Sequence, residues 1–198
     1  IVSKPGTELS VRDLKGKQVV GPKGPFLHQL LVAALEKEGM KESDVQFINR
    51  SIPKALSTIL AGHADAALVA SSALIKANKA GAKTIINAEG LVEPTLVMTT
   101  TKQFVEEHLD IVKRVDKVYA ESLQWMKDHP AETAEMGAKE HGISVEDAKT
   151  LMERSHYFDK MTTKDLEDLK VNQKFLRDNG MMRNEVTVEE LVLPVEME

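Results

Sequence analysis

Apolar positions along this chain follow two rhythms, and the change comes near residue 100. In the first half, short apolar runs alternate with amphipathic stretches. Gln18-Val19-Val20, Val45 to Ile48, Ala66 to Val69, Thr84 to Ile86 and Thr95 to Met98 read as strands. Between the first two, Phe26 to Lys37 puts Phe26, Leu27, Leu30, Leu31, Ala34 and Leu35 on one helical face, and Gly39 stops the helix. A second helix opens at Ser51-Ile52-Pro53, with Ser51 as N-cap, carries Ala55, Leu56, Ile59 and Leu60, and stops at Gly62. A third, capped by Ser71 or Ser72, runs to Lys79. Ala66 to Val69 does not alternate, as expected of a strand covered on both faces. The strand–helix order predicts a largely parallel sheet with right-handed crossovers.

After Thr101 the rhythm is helical throughout. Thr101 to His108, Ile111 to Asp128, Pro130 to Glu140, Ser144 to Arg154 and Thr163 to Asn179 read as successive helices, with Gly142 and Gly180 as stops. Ser144-x-x-Asp147 approximates a capping box. Tyr157-Phe158 reads as a short extended piece, and the tail after Thr187 as acidic and loose. Val112, Val115, Val118, Tyr119, Leu123 and Met126 make apolar faces with no sheet of their own to cover them. An exposed apolar patch is therefore expected between Ile111 and Met126, with Trp125 packed in the core.

Composition narrows the classes. The chain has 198 residues, 29% charged and 42% hydrophobic, enough for a real core. A net charge of −5 with interspersed signs gives no nucleic-acid footprint, and aromatics at 4% are too few for a base-stacking surface. Without cysteine there is no disulfide framework, thiol catalysis or cysteine metal site. The six histidines are scattered with no His-x-x-x-His pair, so no metal and no cofactor is expected. No nucleophile–base pair, Walker loop or dinucleotide fingerprint is visible. No transmembrane run or signal peptide is visible, and the start at Ile1-Val2 reads as a processed product or a fragment.

Candidate chemistry gathers where strands meet helices, because open α/β sheets bind ligands beyond the carboxyl ends of their strands. Those ends are Gly21 to His28, Asn49 to Ile52, Ala70 to Ser72 and Asn87 to Gly90. Lys23, Gly24, Pro25, Phe26 and Leu27 form a loop whose helix N-terminus suits an anion; otherwise it is an ordinary turn. Pro25 has no N–H, and Phe26 either stacks on an apolar or ring-containing ligand or packs inward. His28 contacts ligand or fills the core. Ser51 and Ser71 cap helices and remain compatible with ligand contact. Ala70 leaves room beside them, and Glu89 bonds a ligand amine or lies in solvent.

Val11-Arg12-Asp13-Leu14-Lys15-Gly16-Lys17 leading into a strand and glycine loop resembles bacterial periplasmic solute-binding proteins of the aliphatic sulfonate, taurine and nitrate family, with its thiamine-precursor relatives. Gly62-His63-Ala64-Asp65-Ala66, Ala88-Glu89-Gly90, and Leu166 to Gly180 followed by Val186 to Leu191 resemble that family in the same order. The resemblance implies an α/β fold of the type II periplasmic-binding-protein kind. It places residues 1–12 in a crossing, 13–95 in a second lobe with a largely parallel sheet, and 96–198 in a return crossing and the helices of a first, incomplete lobe. It implies non-catalytic capture of a small organic solute in an interlobe cleft, for an ABC permease in the membrane. It further implies a periplasmic or lipid-anchored extracytoplasmic location. The chain alone is then expected to bind poorly, and to self-associate through exposed helix faces if an N-terminal part is absent. Two alternatives share the architecture. A pyrimidine-precursor synthase relies on a cysteine-rich motif that this chain lacks. The effector domain of a transcription regulator needs a DNA-binding segment upstream.

Overall fold

A computed structural model describes residues 1–24, 26–155, 157 and 160–193. The chain divides into two compact units, one of residues 1–94 with 168–186, the other of 95–167 with 187–198.

The first unit is an α/β layer structure. Its sheet contains β1 (Val2–Ser3), β2 (Gln18–Gly21), β3 (Gln46–Asn49) and β4 (Ala66–Ala67), in the order β1-β4-β2-β3. β2 pairs in parallel with both β3 and β4, and β1 lies antiparallel to β4. The helices that connect these strands are α1 (Leu27–Lys37), α2 (Ile52–Leu60) and α3 (Ser71–Lys79). Alternate strand positions sort into two cores. Val19, Ala66 and Leu68 pack with Leu27, Leu30, Leu31, Ala34 and Leu35 of α1. Val20, Ala67 and Val69 pack on the other face with Ala55 and Ile59 of α2 and Ala73 and Ala77 of α3. Residues Ala66 to Val69 are accordingly buried throughout.

Gly21, at the end of β2, lies tight against Leu68, the residue that follows β4. A Cβ built there would lie 2.4 Å from the Leu68 Cβ, so only glycine permits this approach. At the opposite end of the strands, Asp65 fastens the sheet. Its carboxylate accepts the Gln18 amide at 3.1 Å and Lys4 Nζ at 3.3 Å, and its own amide donates to the Gln18 carbonyl.

The second unit is helical: α4 (Lys102–Glu107), α5 (Leu109–Asp128), α6 (Pro130–His141), α7 (Val145–Arg154) and the first turn of α8 (Thr163–Asp178). Ser144 and Asp147 form the reciprocal capping box that opens α7. Gly142 ends α6 in the left-handed conformation, which costs a glycine nothing. The buried side chains are few and mostly small: Leu123, Thr133, Ala134, Ala138 and Ala148, with Met161, Leu166 and Val188.

Within residues 1–12, β1 is a strand of the first unit's sheet. Residues 168–186 group with the first unit. Other expectations need correction. Thr84 makes only an isolated bridge to Val2, and Thr95 to Met98 form no strand, leaving Leu96, Val97 and Met98 exposed. Trp125 is 38% exposed and stacks on His129 with ring centroids 4.6 Å apart. Phe158, in the expected extended piece, lies outside the described residues.

Candidate functional site

The sheet order fixes where a ligand edge can form. From β2 the chain crosses over α1 on one face to β3, then returns over α2 on the other face to β4, on the far side of β2. The helices that follow β2 and β4 thus lie on opposite faces. The carboxyl ends of these two strands are therefore the topological switch point of the sheet, where open sheets bind ligands. Phe26, Ile52, Ala70 and Ala88 all pack against the same core cluster, which gathers the four strand-end loops.

Two reciprocal bonds clasp the loops after β2 and β3. The Lys23 amide donates to Asn49 Oδ1 at 2.9 Å, and the Arg50 amide donates to the Gly21 carbonyl at 2.8 Å. The clasp keeps the exposed Lys23 and Arg50 on neighbouring loops at one edge. Around it stand three helix N-termini, of α1, α2 and α3, and in none does the N-cap side chain accept a backbone amide. Away from the sheet, Thr101 caps α4 and Ser144 caps α7. Amides left without a cap at a helix start attract negative charge.

Backbone strain marks the same edge. Among the described residues, the non-glycine positions with positive φ are Phe26 (63°) and Ser71 (50°), where the chain turns into α1 and α3. Such conformations cost on the order of 1–3 kcal/mol each and persist where surrounding structure imposes them. Gly24, at φ 128°, supplies the freedom this loop needs beside them.

The expected contacts are not equally placed. Lys23, Ser51, Ser71 and Glu89 are exposed, while Gly24, Phe26 and Ala70 are half-buried. Pro25 lies outside the described residues. The side chains of Leu27 and His28 are buried in the core, which leaves Leu27 only its backbone amide to offer at the edge. His28 is fully buried, stacked on Phe47 at 4.6 Å with Phe175 at its edge, and its Nε2 sits 3.1 Å from Glu42 Oε1. That 3.1 Å approach lacks hydrogen-bond alignment, so it is an electrostatic contact. The helix turns these two side chains under the sheet rather than toward its edge. Ser51 stands at the α2 N-cap as expected, though its side chain accepts no amide, whereas α3, for which Ser71 or Ser72 was expected as cap, has Ala70 at that position and Ser71 as its first helical residue. Asn49 and Arg50 lie in the expected strand end Asn49 to Ile52 but were not singled out within it. A polar pair ending a strand, next to a helix start, was the available signal. Among the described residues, no three His, Cys, Asp or Glu side chains group as a metal site, and no helix is long and apolar enough to cross a membrane.

Comparison with known proteins bears on the fold. The NMT1/THI5 like family matches residues 2–133. A Bacillus subtilis (strain 168) protein named for binding aliphatic sulfonates is 31% identical over 129 residues, which span 64% of this chain and 39% of that protein. The periplasmic aliphatic sulphonate binding protein SsuA from Escherichia coli shares the fold at TM-score 0.77 and 16% identity, over 97% of this chain and 64% of its own. The alkanesulfonate-binding protein SsuA from Xanthomonas axonopodis pv. citri, bound to MOPS, gives 0.79 at 18% identity, over 97% and 68%. The fold is therefore α/β, of the type II periplasmic-binding-protein class. The chain spans well under half of the Bacillus protein and about two thirds of these structures.

Proposed function

Because the chain belongs to the NMT1/THI5-like family, we propose that its first unit supplies a recognition edge for a small organic anion of the sulfonate class. The whole protein would capture that solute without chemistry, outside the cytoplasm, and deliver it to an ABC-type importer.

One observation carries the reading: three helix N-termini without side-chain caps meet Lys23 and Arg50 at the switch point of the sheet. A sulfonate presents three acceptor oxygens and a fixed negative charge. First-turn amides can donate to those oxygens, and the two cations add attraction without demanding one geometry. The half-buried Phe26 offers an apolar surface for the carbon end of the solute. The clasp through Asn49 and the strained turns at Phe26 and Ser71 hold the edge in shape before ligand arrives, which lowers the ordering cost of binding. Selective capture then requires no proton transfer and no nucleophile.

Titration of isotope-labelled chain with ethanesulfonate, followed by amide chemical shifts, tests this directly. Residues 21–28, 49–52 and 70–72 should shift together in a saturable way, and Lys23→Ala with Arg50→Ala should weaken the response about tenfold or more. Equal shifts with ethylammonium, or shifts confined to other residues, would refute the assignment.

A further inference from the structure

Phe26 turns the backbone at φ 63° and ψ −82°, close to the tight γ-turn that bulky residues rarely enter. Glycine would take this turn freely, and Gly24 already supplies such freedom two residues earlier. A strained bulky residue persists only where its surroundings impose it, and such residues gather at ligand sites. The Phe26 carbonyl accepts the Leu30 amide at 2.7 Å and so helps to start α1. Its side chain rests on the core cluster and stays half-buried, whereas the next two side chains, Leu27 and His28, are buried in the core. The strained turn therefore keeps one ring at the carboxyl edge of the sheet. Among the described residues, Phe47, Phe104 and Phe175 each lie against a second ring, and Phe26 lies against none.

The other strand-end loops complete the surroundings. Each brings one half-buried apolar residue to the same cluster: Ile52 after β3, Ala70 after β4 and Ala88 after the bridge at Thr84. Two of these are alanines, which offer contact but little bulk. The exposed Lys23, Arg50, Ser51 and Ser71 stand on the same loops. A solute seated at this edge meets one aromatic side chain, short aliphatic ones and positive charge. An alkyl body gains from any of the apolar contacts. A flat aromatic body gains further from an offset or edge-on contact with the Phe26 ring.

We infer that Phe26 makes the edge selective for anions with an aromatic body, so that the preferred class is an arylsulfonate. The sulfonate would take the first-turn amides and the cations, and its ring would lie on Phe26. This preference rests on the sulfonate reading of the edge given above.

Benzenesulfonate and cyclohexanesulfonate separate the two, because they share carbon count and charge but only the first is flat and aromatic. Each is titrated into isotope-labelled chain, with the amides of residues 21–28, 49–52 and 70–72 as the signal. Benzenesulfonate should bind about fivefold tighter, and its own ring protons should move upfield under the ring current of Phe26. Phe26→Leu keeps an apolar side chain in place and should bring the two affinities within about twofold, with ethanesulfonate unchanged. Phe26→Tyr should restore the preference. Equal affinities in the native chain, or a preference that survives Phe26→Leu, would overturn the selectivity and leave the sulfonate edge standing. If no sulfonate moves these amides, the edge itself is misassigned and the preference falls with it. The upfield shift in the native chain keeps the test decisive even if Phe26→Leu does not fold, since its absence also refutes ring contact.

Discussion

In the first unit, a four-stranded sheet buries both faces, and nearly every large side chain of its central strands and of α1 is lost to solvent. In the second, helices with apolar faces of their own bury few side chains, alanines among them, while Leu96, Met98, Val115, Val118 and Met136 stand half exposed or more. The two are built from one chain under the same solvent, so the contrast lies in layering. A sheet offers two surfaces, and a helix on each completes a core. Helices stacked on helices by small residues approach closely but enclose little apolar area. Stability should therefore concentrate in the first unit. The strained turns at Phe26 and Ser71 sit there, on a frame able to hold them.

The contrast breaks most violently at Gly21. Gly21→Val would push β4 from β2, and we expect a loss of more than about 3 kcal/mol, read as collapse of slow amide hydrogen exchange at Val19, Val20 and Leu31. Next comes a matched pair of truncations. Leu31→Ala, in the first unit's core, should cost about 3 kcal/mol in denaturant unfolding, whereas Met136→Ala, 63% exposed in the second unit, should stay within about 0.5 kcal/mol. Similar costs at both positions would show that layering is not what separates the units.

A smaller effect is expected at Asp65. Burial opposes its ionisation, but the Gln18 amide and Lys4 outweigh it and hold the carboxyl below its ordinary range. A depressed native value means the stabilisation is present above the unfolded carboxyl value, near ~3.9, and drains away as pH falls through the native one. Asp65→Asn should cost about 1 kcal/mol at neutral pH and flatten the acid limb of the stability curve. An unchanged acid limb would mean that other carboxylates govern it. Ser144→Ala should cost about 1 kcal/mol or less by removing the α7 cap, seen as a small drop in the second unit's melting. The only tryptophan and both tyrosines lie in residues 95–167. Intrinsic fluorescence therefore follows that unit alone and should report its unfolding ahead of the first unit's hydrogen exchange.

Helix positions were legible almost to the residue because their apolar spacing is local. Strands β2, β3 and β4 were legible for the same reason, with turn signals at both ends. What stayed hidden depends on partners distant in sequence. β1 is two residues long and is held by partners distant in sequence, β4 on one side and Lys83 to Ile85 on the other. Thr95 to Met98 has strand-like residues, yet no strand pairs with it. At the candidate site, Lys23, Ser51, Ser71 and Glu89 could be placed on loops from sequence. Whether α1 turned Leu27 and His28 toward the edge or into the core depended on its rotation against the sheet. Arg50 resembled any solvated charge until its amide was seen bonded to Gly21.

The return of residues 168–186 to the first unit bears on how the chain folds as it is made. Phe175 is synthesised long after His28, yet their rings meet in one core. The ribosome must release the whole stretch between them before that contact can form, while the helices of residues 95–167 meet one another sooner. Closing so long a loop slows the last step, though its entropic cost grows only logarithmically with length. During that interval the apolar surface around His28 and Phe47 lacks the Phe175 contact, and exposed apolar surface of this kind favours aggregation.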